Sequence, residues 1–284
     1  MNTKKNNWLN EKNKGYQSQN GEDGIIEAIF ETIDVKNGWV VEFGAWDGRY
    51  NSNTIHFIES GKFSGVLIEG DKPKYDQLKE SFKSNERIFP VHAFVGWEGE
   101  SSLDSLLAKT PIPKEFELIS IDIDGNDYYV WEAMKTYSAK VVVIEYNPTI
   151  PNEVDFVQEK NFRLNHGNSV AALTRLAKSK GYELVATTVN NAFFVKSSLF
   201  PKFEIADNSV HALRTPDTRI TYFFSGYDGT VFLRGHDKLD LHNLPLKEKR
   251  FQLLPKSLRG YDSQKGITKI LYSFYKSLRK RDII

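Results

Sequence analysis

The 284-residue sequence contains no cysteine. Disulfides, thiol catalysis and cysteine metal sites are excluded, although that absence leaves the compartment open. Neither sign of charge is in excess: the formal net charge is +1, so no strong overall field is expected. There is no basic stripe interleaved with aromatics, which argues against a nucleic-acid substrate. No apolar run approaches the roughly 20 residues needed to span a bilayer, and the polar opening MNTKKNNWLNEKNK lacks the apolar stretch of a secretion signal. A soluble, cytoplasmic protein is the resulting expectation. Also missing are the dinucleotide pattern GxGxxG, the phosphate loop GxxxxGK(S/T), the HExxH zinc pattern and a serine elbow. There is no internal repeat and no low-complexity segment.

What remains is an ordinary globular composition, 40% apolar and 26% charged, long enough for one large domain or two small ones. Residues 1–15 read as a polar arm. A helix is expected over 20–32, with Asn20 as cap and Ile25, Ile26, Ile29 and Phe30 as its buried stripe. Apolar strands then follow at 39–43, 65–69, 88–94, 117–122 and 140–146. Helices alternate with them at 51–60, 73–83, 102–109 and 126–136. Short apolar strands separated by amphipathic helices predict a doubly wound α/β domain with a mostly parallel sheet. A helix at 169–180 and a hairpin of 182–188 with 191–198, joined at Val189–Asn190, give that sheet an antiparallel end. After residue 200 no period is clear, and an irregular extension over 201–284, packed on the same domain, is expected. Its last helix, 266–281, is amphipathic and basic at its end. That pattern suits a docking helix complementing its own dipole, with weak contact to a membrane surface or to an acidic partner as the alternatives.

The stretch VVEFGAWDG (40–48) sets Gly44 and Gly48 four apart after the first strand. A loop leaving the first parallel strand faces the ligand crevice. Trp46 stands where a dinucleotide site needs its middle glycine, so a nucleoside without a phosphate chain fits better. Glu42 is a carboxylate ending an apolar strand, and burial there requires a partner: an ammonium group or turn amides. Glu69 ends the next strand and suits the two hydroxyls of a ribose, whether in NAD or in S-adenosylmethionine. Asp71 reads as the cap of the helix beginning near Pro73.

ISIDIDGND (119–127) puts Asp122 and Asp124 at the end of the fourth strand, where period-two spacing points both the same way if the strand continues. Asp127 follows at a helix start and reads equally as the cap of that helix. Glu145 and Asn147 end the fifth strand, so five oxygen-bearing side chains converge on one rim. Such a rim suits three tasks: holding Mg²⁺ or another hard cation, acting as general base toward a hydroxyl, or binding a polyhydroxylated substrate. The DxD triplet also fits a metal-dependent nucleotide-sugar glycosyltransferase, and DxDG fits an aspartyl-phosphate phosphatase. A fold-mate that binds without catalysing is a further alternative. His166, with Arg163 nearby, offers another base or substrate contact, or is simply a surface histidine. His92 reads as an interior or rim residue. Phe94 and Trp97 follow the third strand, where one of them flanks an adenine or both pack in the core.

The ordered set VVEFGAWDGRYNSNT, VLIEGD, SSLDSLLAK and LISIDIDGNDYYVWEAM resembles the FkbM-type methyltransferases, a branch of the class I S-adenosylmethionine-dependent family. The upstream SQNGEDGII, the downstream IEYNPTIP and SVAALTRLAKSKGYELV, and NAFFVKSSLF also look like parts of related proteins. The resemblance covers roughly 16–200 and implies a seven-stranded Rossmann-like sheet with adenosylmethionine over its first half. Glu42, Gly44, Ala45 and Gly48 would then lie by the methionine portion. Glu69 and Gly70 would meet the ribose, and Phe94 and Trp97 the adenine. Asp122, Asp124 and His166 are the candidates for the base. Asp122, Asp124, Glu145 and Asn147 are the candidates for a metal. The activity implied is methylation of a hydroxyl on a sugar, glycan precursor or similar small molecule. Many members carry a lone acidic residue and Glu-Gly where this chain has Asp122-Ile-Asp124-Gly125, so the resemblance does not assign the base.

Overall fold

Seven strands carry the core: β1 (Gly38–Phe43), β2 (Phe63–Glu69), β3 (Ile88–His92), β4 (Glu115–Ile121), β5 (Ser138–Glu145), β6 (Tyr182–Thr187) and β7 (Asn191–Lys196). In the computed structural model, which describes residues 5–214, 219–260 and 265–281, they form one sheet in the order β3-β2-β1-β4-β5-β7-β6. The pairs among β1 to β5 are parallel, and β7 runs antiparallel to both β5 and β6. This is the seven-stranded, mostly parallel sheet with an antiparallel end that was expected. Val40, Val41 and Phe43 of β1 and the run Val141–Ile144 of β5 are wholly buried, as strands covered on both faces must be.

The helices are α1 (Glu22–Ile33), α2 (Ile55–Glu59), α3 (Lys72–Ser81), α4 (Leu103–Leu107), α5 (Asp127–Ala133), α6 (Val170–Ser179), α7 (Val210–Leu213) and α8 (Gly266–Lys280). Their starts follow local chemistry. Asp71 accepts the Lys74 amide at 3.1 Å to open α3, and Ser169 accepts that of Ala172 at 3.1 Å to open α6. The α6 stripe Val170, Ala172, Leu173, Leu176 and Ala177 is buried, and Gly181 follows the helix at φ 78.

Three local expectations are corrected. Asn20 is not the cap of α1; Gly21, left-handed at φ 79, takes that position. Asn20 instead donates across to Asn190 Oδ1 at 2.7 Å. The helix expected over 51–60 is confined to 55–59, because residues 52–54 are drawn into hydrogen bonds with Glu42. Within 201–262, where no period is visible, two antiparallel pairs form: β8 (Thr221–Ser225) with β9 (Val231–Gly235), and β10 (Lys238–Leu239) with β11 (Leu244–Pro245).

The chain divides into two compact units, Met1–Asp217 and Thr218–Ile284. In the first, Leu9 is fully buried, Trp8 Nε1 donates to Phe203 O at 3.1 Å and Asn10 Nδ2 to Leu213 O at 2.7 Å. The second holds both small pairs and α8, none of whose residues is buried. Among the described residues no helix is long and apolar enough to cross a membrane.

Candidate functional site

Parallel register aligns the strand tips. Phe43 stands beside Ile68 on β2 and Ile121 on β4, and Ile121 beside Ile144 on β5. Glu42, Glu69, Asp122 and Glu145 therefore gather at one edge of the sheet, the carboxyl edge where open α/β sheets bind ligands. Gly44 makes the first turn possible. Its φ is 72, and a Cβ there would meet Asp122 O at 2.2 Å, so only glycine lets the exits of β1 and β4 touch. Gly48, at φ 82, faces Leu78 and Phe82 around α3 instead, and serves packing of the turn on that helix. Ala45, buried, donates its amide to Ile68 O at 3.2 Å.

Glu42 has its partners within the chain. Its carboxylate accepts Ser52 Oγ at 2.5 Å, Thr54 Oγ1 at 2.7 Å and the Asn53 amide at 2.8 Å. Burial still pushes its carboxyl above the usual range, against those bonds. Asn53 in turn donates to Ser120 Oγ at 3.0 Å on β4. Glu42 is thus the knot tying the NSNT run, residues 51–54, to the sheet. The signal for it lay in that run: short polar side chains favour turns over helix interiors.

Glu69 joins the first two strand tips. One oxygen accepts the Trp46 amide and the other the Asp71 amide, both at 2.7 Å. Trp46 adopts φ 52, a conformation rare for a bulky residue, and Lys74 Nζ lies 3.3 Å from the centroid of its half-exposed ring. Next to Glu69, Gly70 carries the ring of Phe94: a Cβ there would lie 2.3 Å from Phe94 Cδ1. Phe94 is 77% exposed and so is no core residue. Trp97 stacks on Phe162 with centroids 4.0 Å apart and planes at 11°. His92 is a rim residue, its Nε2 3.1 Å from Gly70 O and its ring stacked on Tyr75.

The acidic rim is assembled by a turn. β4 ends at Ile121, and Asp124 is left-handed at φ 57, so strand alternation does not align Asp122 with Asp124. Even so, carboxylate oxygens of Asp122, Asp124 and Glu145 lie within 4.8 Å of one another. Asp127 is turned inward, accepting the amides of Ile123 at 2.9 Å and Gly125 at 2.8 Å, which fixes the turn. Burial raises its carboxyl to about 6 despite those bonds. Burial, then the charges of Asp127, Asp124 and Glu42, raises Asp122 well above the ordinary range. Glu145 rises too, through burial and then Asp122, Asp127 and Asp124, while its bond from Asn190 Nδ2 at 3.3 Å opposes the shift. Carboxyls this close do not all ionise at once, so the rim retains a proton toward neutral pH.

Asn147 lies past the β5 tip and uses its side chain locally, accepting Thr149 N at 2.9 Å and donating to His166 O at 2.8 Å. His166 is exposed on the loop between β5 and α6. That loop is laced onto the acidic turn. Buried Gln158 accepts the His166 amide at 2.9 Å, Asn168 Nδ2 donates to Gly125 O at 2.7 Å, and Asn126 Nδ2 to Asn161 O at 3.1 Å. Gln158 and Phe162 were not singled out from the sequence, where an isolated amide and one loop aromatic carry no periodic signal, and Asn190 was read only as part of the hairpin link.

No protein-family model and no curated protein matches the chain. Among solved structures, the chain is similar to the N-terminal domain of EvdMO1 with SAH bound, at 12% identity and a TM-score of 0.42 over 63% of this chain and 80% of that one. It is also similar to the CMeT domain of the citrinin polyketide synthase, at 12% identity and TM-score 0.42 over 63% and 54%. A SAM-dependent methyltransferase from Aquifex aeolicus follows at 11% and 0.37 over 60% and 87%. These are partial likenesses of architecture. The sheet itself, with β7 antiparallel between β5 and the edge strand β6, is a seven-stranded Rossmann-like one.

Proposed function

We propose that the chain is an S-adenosylmethionine-dependent O-methyltransferase acting on a hydroxyl of a sugar, a glycan precursor or a similar small molecule. One observation carries this reading: the Glu69 carboxylate is held between the glycine turn and the β2 exit by two backbone amides. A carboxylate accepts about four hydrogen bonds, so each Glu69 oxygen keeps acceptor capacity suited to a hydroxyl pair. That donor–acceptor chemistry fits a ribose, and exposed Phe94 beside Gly70 offers a flat apolar face to a base. Glu69, Gly70, Phe94 and the Gly44–Trp46 turn are the residues that would hold the nucleoside, with Trp97, stacked on Phe162, as the second aromatic candidate for the base. Glu42 acts through the turn it ties together. Bound adenosylmethionine supplies an electrophilic methyl on a positively charged sulfur. The ordered motifs from VVEFGAWDG to ISIDIDGND favour the FkbM-type branch.

Asp122 is the proposed general base. Its raised proton affinity suits removal of a hydroxyl proton near neutral pH, and Asp124 and Glu145 tune it as neighbours. His166 is the second candidate. The same trio supports another reading, in which Asp122, Asp124 and Glu145 ligate a divalent cation such as Mg²⁺. The glycosyltransferase alternative would use the same ion. Calorimetry with adenosylhomocysteine, NAD and a UDP-sugar separates these nucleosides. Binding of adenosylhomocysteine that is lost in Glu69→Ala is expected; binding of the UDP-sugar alone would replace this reading with the glycosyltransferase.

A further inference from the structure

We propose that α8 is an interfacial anchor that lays the protein on an anionic lipid bilayer. Ile267, Ile270, Leu271 and Phe274 are 54–76% exposed, and at 3.6 residues per turn they fall on one side of the helix. Lys269, Lys276 and Lys280 fall on the opposite side, and the helix contains no acidic residue. The charge bias extends beyond it, for between residues 249 and 281 Asp262 is the single acidic residue of the sequence. Tyr275 ties the helix to its own unit from the flank, its hydroxyl donating to Leu253 O at 2.8 Å, and leaves the apolar side open.

A contiguous apolar face costs free energy in water unless something covers it. The charge complementarity selects the occupant. A bilayer carrying anionic headgroups buries the apolar face and attracts the lysines behind it, the combination that holds amphipathic helices in the plane of a membrane. At 15 residues, roughly 22 Å long, α8 lies on the surface and does not span it.

The test uses the full chain with vesicles of phosphatidylcholine alone, and of phosphatidylcholine mixed with phosphatidylglycerol. Co-sedimentation with the anionic vesicles only, weakening as salt rises, is expected. Reversing three lysines together (Lys269→Glu, Lys276→Glu, Lys280→Glu) should cut the partition by about 100-fold. Leu271→Glu with Phe274→Glu should abolish it, with far-ultraviolet circular dichroism confirming that the rest of the fold persists. In Phe274→Trp, the new indole should shift its emission to the blue on anionic vesicles and stay unshifted on neutral ones. Equal binding to both vesicles, no binding to either, or a self-association lost in Leu271→Glu without vesicle binding would each overturn the proposal.

Discussion

Raising the pH from about 5 to about 8 should weaken the fold, the reverse of what paired surface carboxylates produce. The cause is the inward carboxyl of Asp127, moved from its ordinary 3.8 to about 6 by burial. The unfolded chain releases this proton near the ordinary value, whereas the folded chain holds it to about 6. The associated stability is therefore complete below pH 3.8 and is lost as pH rises through 6. For this group alone the loss between about pH 5 and about pH 8 is about 1.4 kcal/mol. Asp122, Glu145 and Glu42 are displaced in the same direction and add to it. With a urea dependence of about 1–3 kcal/mol per molar, the midpoint should fall by about 0.5 M or more. Equilibrium urea unfolding at constant ionic strength reads this directly. Asp127→Asn should flatten part of the slope while lowering stability by about 1–3 kcal/mol, because one of the two turn amides loses its acceptor. A midpoint that stays level or climbs over this range would refute the reasoning.

Glu42→Ala should destabilise by about 3 kcal/mol or more, since Ser52, Thr54 and the Asn53 amide lose a shared buried acceptor; thermal unfolding measures it. Phe94→Ala should weaken adenosylhomocysteine binding by about 1–3 kcal/mol if the ring stacks on the base, and should leave the melting temperature unchanged because the ring is exposed. With Asp122 as direct base, turnover should survive exhaustive chelation and fall in Asp122→Asn, with the acidic limb of its pH–rate profile above the ordinary carboxylate range. Loss of turnover on chelation, restored by Mg²⁺, would move the three carboxylates to the role of ion ligands.

The sheet and the strong helices were legible because their signals are local: Val141–Ile144 is an uninterrupted apolar run, and Asp71 and Ser169 are caps beside their own helices. The NSNT run was misread because its acceptor, Glu42, lies ten residues back on another element. The meeting of Asp122 with Asp124 was anticipated, though by a pleat where a left-handed residue does the turning. That three carboxylates would gather needed the fold, whereas the separate, structural reading of Asp127 was already suggested by its place at a helix start. The strands β8 to β11 escaped notice because they are short and mostly exposed, so no buried face imposes a period on them.

The central claim is that the β2-tip carboxylate grips a nucleoside's ribose. A crystal structure with adenosylhomocysteine tests it most directly. Both ribose hydroxyls within hydrogen-bonding distance of Glu69 is the predicted result; a nucleoside seated elsewhere, with Glu69 bonded to its two amides alone, would contradict it.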